Sequence, residues 1–359
     1  MSRKKAYLVL ADGSVLEGFS FGADSSCVGE LVFTTNMCGY IETLTDPSYY
    51  GQIVIQTFPL IGNYGVIPSD FEGECALKGY VVREYCETPS NFRSEMTLDA
   101  FLKERGIPGI YGIDTRALTR RIRQHGVINA CITHRLPTDE EPIHRFAVQN
   151  ALEAVSAKSV QFFPCEQERF HVVLMDFGAK RNIIRELNER GCSVTAVPYD
   201  TTAEAILSMN PNGIMLSNGP GDPSENTGVI KEIRKLFGTV PMFGICLGHQ
   251  LAALAAGADT YKMKFGHRGA NQPVHDLKNG RTYITTQNHG YAVEPDSLKG
   301  KGEVRLVNAN DGSCEGIDYP EQKCFTVQFH PEACAGPKDT EFLFQRFIRL
   351  MEDDSYAKR

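Results

Sequence analysis

The sequence predicts two domains, a mixed α+β domain followed by an α/β domain whose mainly parallel sheet is flanked by helices, and three observations carry this. At 359 residues, 42% of them hydrophobic, the chain is long enough for two cores of ordinary domain size. Its first half holds short strand-like runs with few helical patterns between them. From Val172 onward strands alternate with helices, the rhythm of βαβ units.

The first domain is placed over 1–134. Apolar segments Tyr7 to Leu10 and Val15 to Phe21 are joined through Asp12-Gly13, a pair suited to a hairpin turn. Further strand-like runs follow at Leu31 to Thr34, Gln52 to Thr57 and Gly79 to Arg83. Helices are expected over Leu98 to Arg105, stopped by Gly106, and over Thr115 to Gln124, where Asp114 is the N-cap. A polar stretch over 135–169 contains Pro137, Pro142, Pro164 and the acidic run Asp139-Glu140-Glu141, and reads as a linker. The second domain is placed over 170–351, with a polar tail at 352–359. Its predicted order is strand Val172 to Asp176, helix Arg181 to Glu189, strand Ser193 to Val197, helix Ala203 to Met209 and strand Gly213 to Leu216. A buried strand then leads into Cys246, and a helix runs from Leu247 to Ala256. Sheets of this kind put ligands beyond the carboxyl ends of their strands.

Composition narrows the function classes. A net charge of -7, without a long basic run, offers nucleic acid no general attraction. The apolar stretch Ala6 to Leu10 is too short for a signal-peptide core, and no run has membrane-spanning length, so a soluble, cytoplasmic protein is expected. Eleven cysteines, an odd number without a CxxC pair, argue against a disulfide framework and for a reducing compartment. His330, Glu332 and Cys334 lie close in sequence, and Cys314, Cys324 and Cys334 recur at even intervals. No second compact ligand pair completes a zinc site, so no metal is expected in this chain.

The chemistry centres on Cys246. Gly244-Ile-Cys246-Leu-Gly248 falls at a strand-to-helix turn and reproduces the thiol form of a nucleophile elbow, in which small neighbours permit the sharp turn. A helix N-terminus favours the thiolate, the reactive form. By itself the motif reads equally as a core cysteine beside two packing glycines. Phe325-Thr-Val-Gln-Phe-His330-Pro-Glu332 adds a strand ending in an imidazole and a carboxylate two positions on, the general acid–base and its orienting partner that a thiol hydrolase needs. Leu216-Ser-Asn-Gly-Pro-Gly-Asp-Pro223 follows a predicted strand, with glycines that allow close backbone approach to a ligand; it reads also as a connecting turn.

Together with Gln287-Asn-His-Gly-Tyr291, these segments resemble the class I glutamine amidotransferase domain. The resemblance implies a triad of Cys246, His330 and Glu332, an oxyanion hole from the backbone N–H groups of Gly219 and Leu247, and a glutamine pocket of Gly219, Gly221, Leu247, Gln250, Asn288, Gly290 and Tyr291. In the first half, Phe33-Thr-Thr-Asn-Met-Cys-Gly-Tyr40, Leu44-Thr-Asp-Pro-Ser-Tyr49, Ile61-Gly-Asn63 and Gly109-Ile-Tyr-Gly-Ile-Asp-Thr-Arg-Ala-Leu-Thr-Arg120 resemble the N-terminal domain of the carbamoyl-phosphate synthase small-subunit family, and by this resemblance Ser48 also contacts L-glutamine. Cys38 stands where threonine is expected, Cys334-Ala335 where Ser-Pro is usual, and Ala270 where glycine is common. The family implies hydrolysis of glutamine through a cysteine thioester and delivery of ammonia to a large subunit. That partner makes carbamoyl phosphate from bicarbonate and ATP, in a heterodimer or a higher assembly. This chain has no G-x-x-x-x-G-K-[ST] loop, so no cofactor is expected in it; ATP and a divalent metal are expected on the large subunit. Two alternatives remain at this point: an amidotransferase subunit of another synthase, and a non-catalytic glutamine-binding scaffold.

Overall fold

The computed structural model describes residues 4–353 and divides into two compact units, Met1–Ala151 and Leu152–Arg359. The expected tail lies, from 354 on, outside the described residues.

In the first unit the strands are β1 (Lys5–Leu10), β2 (Val15–Gly22), β3 (Cys27–Thr34), β4 (Gln52–Gln56), β5 (Leu60–Ile61), β6 (Gly79–Val82), β7 (Glu84–Tyr85), β8 (Pro108–Tyr111) and β9 (Ile128–Thr133). Seven of them close into a barrel in the order β1-β2-β8-β6-β4-β3-β9, while β5 and β7 form a small parallel pair. Closure leaves no free edge, a feature that strand patterns alone do not announce. The helices are α1 (Tyr40–Leu44), α2 (Leu98–Glu104), α3 (Thr115–His125) and α4 (Glu141–His144). Asp114 caps α3, its carboxylate accepting the Ala117 N–H at 2.9 Å. Strands β8 and β9 were not among the predicted elements; each is a short apolar run beside a helix.

The stretch 135–169 is more ordered than a linker. Ile143 of α4 packs into the first unit against Val9 and Cys131. Helix α5 (Ala151–Val155) spans the division between the units, and β10 (Gln161–Phe163) pairs with the edge of the second unit's sheet.

That sheet has ten strands. After β10 come β11 (Phe170–Asp176), β12 (Cys192–Pro198), β13 (Gly213–Leu216), β14 (Met242–Ile245), β15 (Asp259–Asp276), β16 (Thr282–Glu294), β17 (Glu303–Asn308), β18 (Cys314–Tyr319) and β19 (Cys324–Val327), in the spatial order β10-β12-β11-β13-β14-β19-β18-β17-β15-β16. The helices are α6 (Arg181–Glu189), α7 (Ala203–Ser208), α8 (Thr227–Leu236), α9 (Leu247–Ala256) and α10 (Phe342–Glu352). Side chains of β11 alternate between two cores. Val173 and Met175 join α7, α8 and α9 on one face, and Val172 and Leu174 join α6 and α10 on the other.

The expectation of a mainly parallel sheet needs correction. Only β12-β11-β13-β14-β19 is parallel, giving four parallel pairings against five antiparallel ones. Beyond α9 only two 3-10 turns and no α-helix intervene before β19, and short connections between consecutive strands force antiparallel pairing. Asn279-Gly280 and Asp311-Gly312 mark two of those turns in the sequence.

Candidate active site

Four adjacent parallel strands, β11, β13, β14 and β19, deliver their following loops to one edge of the sheet. Cys246 follows β14, and His330 comes three residues after the end of β19, its hydrogen-bonded neighbour. Cys246 is the N-cap of α9 and sits at φ 53°, ψ −102°, backbone that a side chain rarely adopts. The turn survives because its neighbours lack side chains. A Cβ on Gly248 would lie 2.4 Å from the Leu216 carbonyl oxygen, and the Gly248 N–H donates to Ser217 O at 3.0 Å. Helix α9 is thereby seated directly on the loop after β13. The Cys246 thiol, 2% exposed, donates to the Asn288 carbonyl of β16 at 3.6 Å.

His330 is fixed by its N–H, which donates to Thr286 O at 2.9 Å, and its Nδ1 lies 2.7 Å from Glu332 Oε1. Asn182 of α6 donates to the Glu332 carbonyl and so ties down the loop that carries the carboxylate. Among the described residues no hydrogen bond of ordinary geometry occupies the other ring nitrogen, Nε2, and the ring is close enough to Cys246 to feel it electrostatically. Burial and the Lys180 ammonium push the His330 pKa down, but Glu332 and Cys246 prevail and raise it. For Glu332, burial acts upward, while His330 and Lys180 hold the carboxyl well below the usual range.

Lys180 is a residue that sequence reasoning missed. Its ammonium lies 3.2 Å from His330 Nδ1 and 3.4 Å from Glu332 Oε1, in a side chain almost as buried as theirs. The loop after β11 aims it there. Asp176 Oδ1 accepts the N–H groups of Gly178 at 2.8 Å and Ala179 at 2.7 Å, and Asn218 accepts the Lys180 N–H at 3.1 Å while donating to Gly178 O at 3.0 Å. The only sequence signal is a lysine just past a strand end, and nothing in that pattern says the lysine is buried.

Gly219 is equally confined: a Cβ there would meet the Phe177 carbonyl oxygen at 2.2 Å and the Leu247 side chain at 2.9 Å. Gly219 and the first residue of α9 are thus neighbours. Gly221 follows in the same loop with φ 94°. Gln250 Nε2 donates to Tyr291 O at 2.8 Å and to Gln328 Oε1 at 3.0 Å, linking α9 to β16 and to the segment after β19. Asn288, Gly290 and Tyr291 lie together on β16. Ser48 belongs to the first unit, in a short 3-10 turn where its N–H donates to Asp46 Oδ1 at 2.9 Å. Among the described residues, Cys314, Cys324 and Cys334 gather into no metal-ligand group, and no helix is long and apolar enough to cross a membrane.

The elbow, the imidazole and the carboxylate on the carboxyl edge of an α/β sheet define a thiol-dependent amidotransferase class, and the comparisons agree. Residues 173–350 match the class I glutamine amidotransferases, and residues 8–132 match the carbamoyl-phosphate synthase small chain, CPSase domain. Carbamoyl phosphate synthase small chains are similar over almost the whole length. That of Fusobacterium nucleatum is 52% identical over 97% of this chain and 98% of its own. That of Staphylococcus epidermidis is 51% identical over 99% and 98%, and that of Bacillus caldolyticus 51% over 97% of each. The chain belongs to the carbamoyl phosphate synthase small-chain family.

Proposed function

We propose that Cys246, His330 and Glu332 hydrolyse the side-chain amide of L-glutamine, and that the ammonia passes to a large synthetase subunit. The chain is the glutamine-hydrolysing small subunit of a carbamoyl phosphate synthase. One observation carries the residue assignment: His330 is held by Glu332 on one ring nitrogen, while the other, unbonded, belongs to a ring whose proton affinity the Cys246 thiol raises.

In this reading the Cys246 thiolate attacks the γ-carboxamide carbon, and the oxyanion is received by the N–H groups of Gly219 and Leu247. Preorganised donors of this type are worth roughly 100- to 1000-fold each in rate. His330 protonates the departing nitrogen, ammonia leaves, and a glutamyl thioester remains. Water that gives its proton to His330 then attacks the thioester and releases glutamate, so one ring serves as acid and afterwards as base. Glu332 orients the ring and compensates the imidazolium. Lys180 helps to keep Glu332 ionised and limits the rise in the His330 proton affinity. Gly221, Gln250, Asn288, Gly290 and Tyr291 line the pocket, and Ser48 contributes to glutamine binding. The chain itself uses no cofactor; ATP and its divalent metal are bound by the large subunit, with which it forms a heterodimer or a multiple of one.

The test is glutamate release from glutamine by this chain, alone and with a large subunit, ATP and bicarbonate, beside Cys246→Ser. Activity that rises with the partner and disappears in the variant supports the reading. Full turnover by Cys246→Ser overturns the nucleophile, and activity indifferent to the partner removes the coupling.

A further inference from the structure

Behind residues 288–291 of β16 lies a buried polar cluster that the proposed reaction leaves unused. His267 of β15, His289 of β16 and Glu315 of β18 have exposures of 7%, 5% and 0%. One candidate ligand atom from each lies within 4.8 Å of the other two. We propose that His267 and Glu315 form a buried imidazolium–carboxylate pair which, acting through His289, positions the stretch of β16 that meets glutamine. This deepens the glutaminase reading and rests on it.

His267 Nε2 lies 2.9 Å from Asp311 Oδ2, and Nδ1 lies 3.4 Å from Glu315 Oε1. A neutral imidazole has one N–H; it could donate to Asp311 and accept from Asn308 Nδ2, 3.4 Å from Nδ1, but would then turn a lone pair toward the Glu315 carboxylate. The imidazolium has two N–H groups and satisfies both. Burial works against the charge, but Glu315 and Asp311 outweigh it and raise the His267 pKa. Glu315 needs that cation in turn, because burial raises its pKa and the contact with His267 opposes the rise. Its Oε1 accepts from Asn308 Nδ2 at 3.2 Å, whereas Oε2 has no hydrogen-bond partner, and a buried carboxylate so placed is costly without a counter-charge.

His289 packs against that pair. The two rings meet edge-on, 5.0 Å apart at 90°. Burial, followed by the His267 charge, drives the His289 pKa well down, so this ring is neutral and carries a single N–H. Tyr291 O can only accept and lies 2.8 Å from Nδ1, which places the proton on Nδ1 and requires Gln287, 3.2 Å from Nε2, to turn its amide nitrogen toward that ring atom. The same carbonyl receives Gln250 Nε2 at 2.8 Å, and Asn288 O, three residues earlier, receives the Cys246 thiol at 3.6 Å. The His267–Glu315 pair therefore seats the ring whose Nδ1–H holds the Tyr291 carbonyl, and with it the backbone between the nucleophile and the pocket.

Two measurements test this. In the assembled synthase, His267→Asn and Glu315→Gln are expected to raise the KM for glutamine about tenfold, the worth of one lost hydrogen bond, while kcat stays within about twofold. Equal KM with lowered thermal stability would mean a merely structural cluster, and lowered kcat at unchanged KM would also overturn the proposal. On the unsubstituted protein, nitrogen NMR of labelled histidines should find both His267 ring nitrogens still protonated at a pH where the exposed histidines of the same protein have lost their second proton. A neutral His267 there, or a metal ion retained in stoichiometric amount after chelation, would overturn it even if the variants failed to fold. The NMR result does not depend on turnover, so failure of the glutaminase reading would register separately, as an unsubstituted enzyme that releases no glutamate.

Discussion

Cys246 holds a backbone conformation, φ 53° and ψ −102°, that its Cβ opposes. Strain of this kind costs about 1–3 kcal/mol, and glycine would relieve it at an entropic cost of roughly 0.5–1 kcal/mol. Cys246→Gly should therefore be more stable than Cys246→Ala by about 1 kcal/mol in urea unfolding, with both inactive; equal stabilities would mean the elbow stores no strain. Glu332 gives a second prediction at this scale. Its folded pKa is depressed, so its contribution is present above the ordinary 4.5 and is lost as pH falls through the lower folded value. The folded pKa of His330 is raised, so its contribution is complete below the ordinary 6.5 and fades as pH rises through the higher folded value. The pair thus stabilises most between those two ordinary values. Glu332→Gln should cost about 3–5 kcal/mol in that window, as expected when one partner of a buried ion pair is removed, with a smaller gap on either side. Unfolding measured across pH checks it, and a flat difference would refute it.

At the scale of elements, the site depends on α9 resting against the loop after β13. Gly248→Ala would set a methyl group 2.4 Å from Leu216 O, and backbone on both sides resists movement. The expected loss is about 1–3 kcal/mol of stability, together with a fall in kcat, because the Gly219 and Leu247 N–H groups would separate. Unfolding and steady-state kinetics on one preparation test this, and kcat unchanged beside lost stability would uncouple the helix seat from the proposed oxyanion site. The same scale shows what the sequence made legible. Helices Arg181–Glu189 and Leu247–Ala256 and strand Gly213–Leu216 have the bounds that glycine stops and apolar runs indicate. The antiparallel flank is signalled only by the turn pairs Asn279-Gly280 and Asp311-Gly312, because the βαβ rhythm that precedes it implies parallel pairing. The barrel of the first unit could not be read from single strands, since closure is a property of pairings between β1 and β9 or β2 and β8 that lie far apart in sequence. Among site residues, Cys246, His330 and Glu332 stand in compact motifs. Lys180 approaches them only through the folded loop after β11, and the His267–Glu315 pair arises from strands whose register no local pattern specifies.

For the whole molecule, the decisive property is that glutamine hydrolysis is useful only when a synthetase can take the ammonia, which protonation in water makes unreactive as a nucleophile. A subunit that released it continuously would waste glutamine, so the state of the glutamine site and the state of the partner must bias one another. Such a coupling is a free energy shared by two binding events, and it acts equally in both directions. Cys246→Ser allows it to be measured, because glutamine can occupy the site without being consumed. Titrating that variant with the large subunit should show tighter association when glutamine is saturating, by roughly 5- to 150-fold, the usual span for coupled sites. The reciprocal titration must give the same factor for glutamine affinity when the partner is saturating. A partner affinity indifferent to glutamine would mean that the ammonia supply is matched to demand by the rate of the chemical step alone, and the buried network around β16 would then serve binding without reporting it.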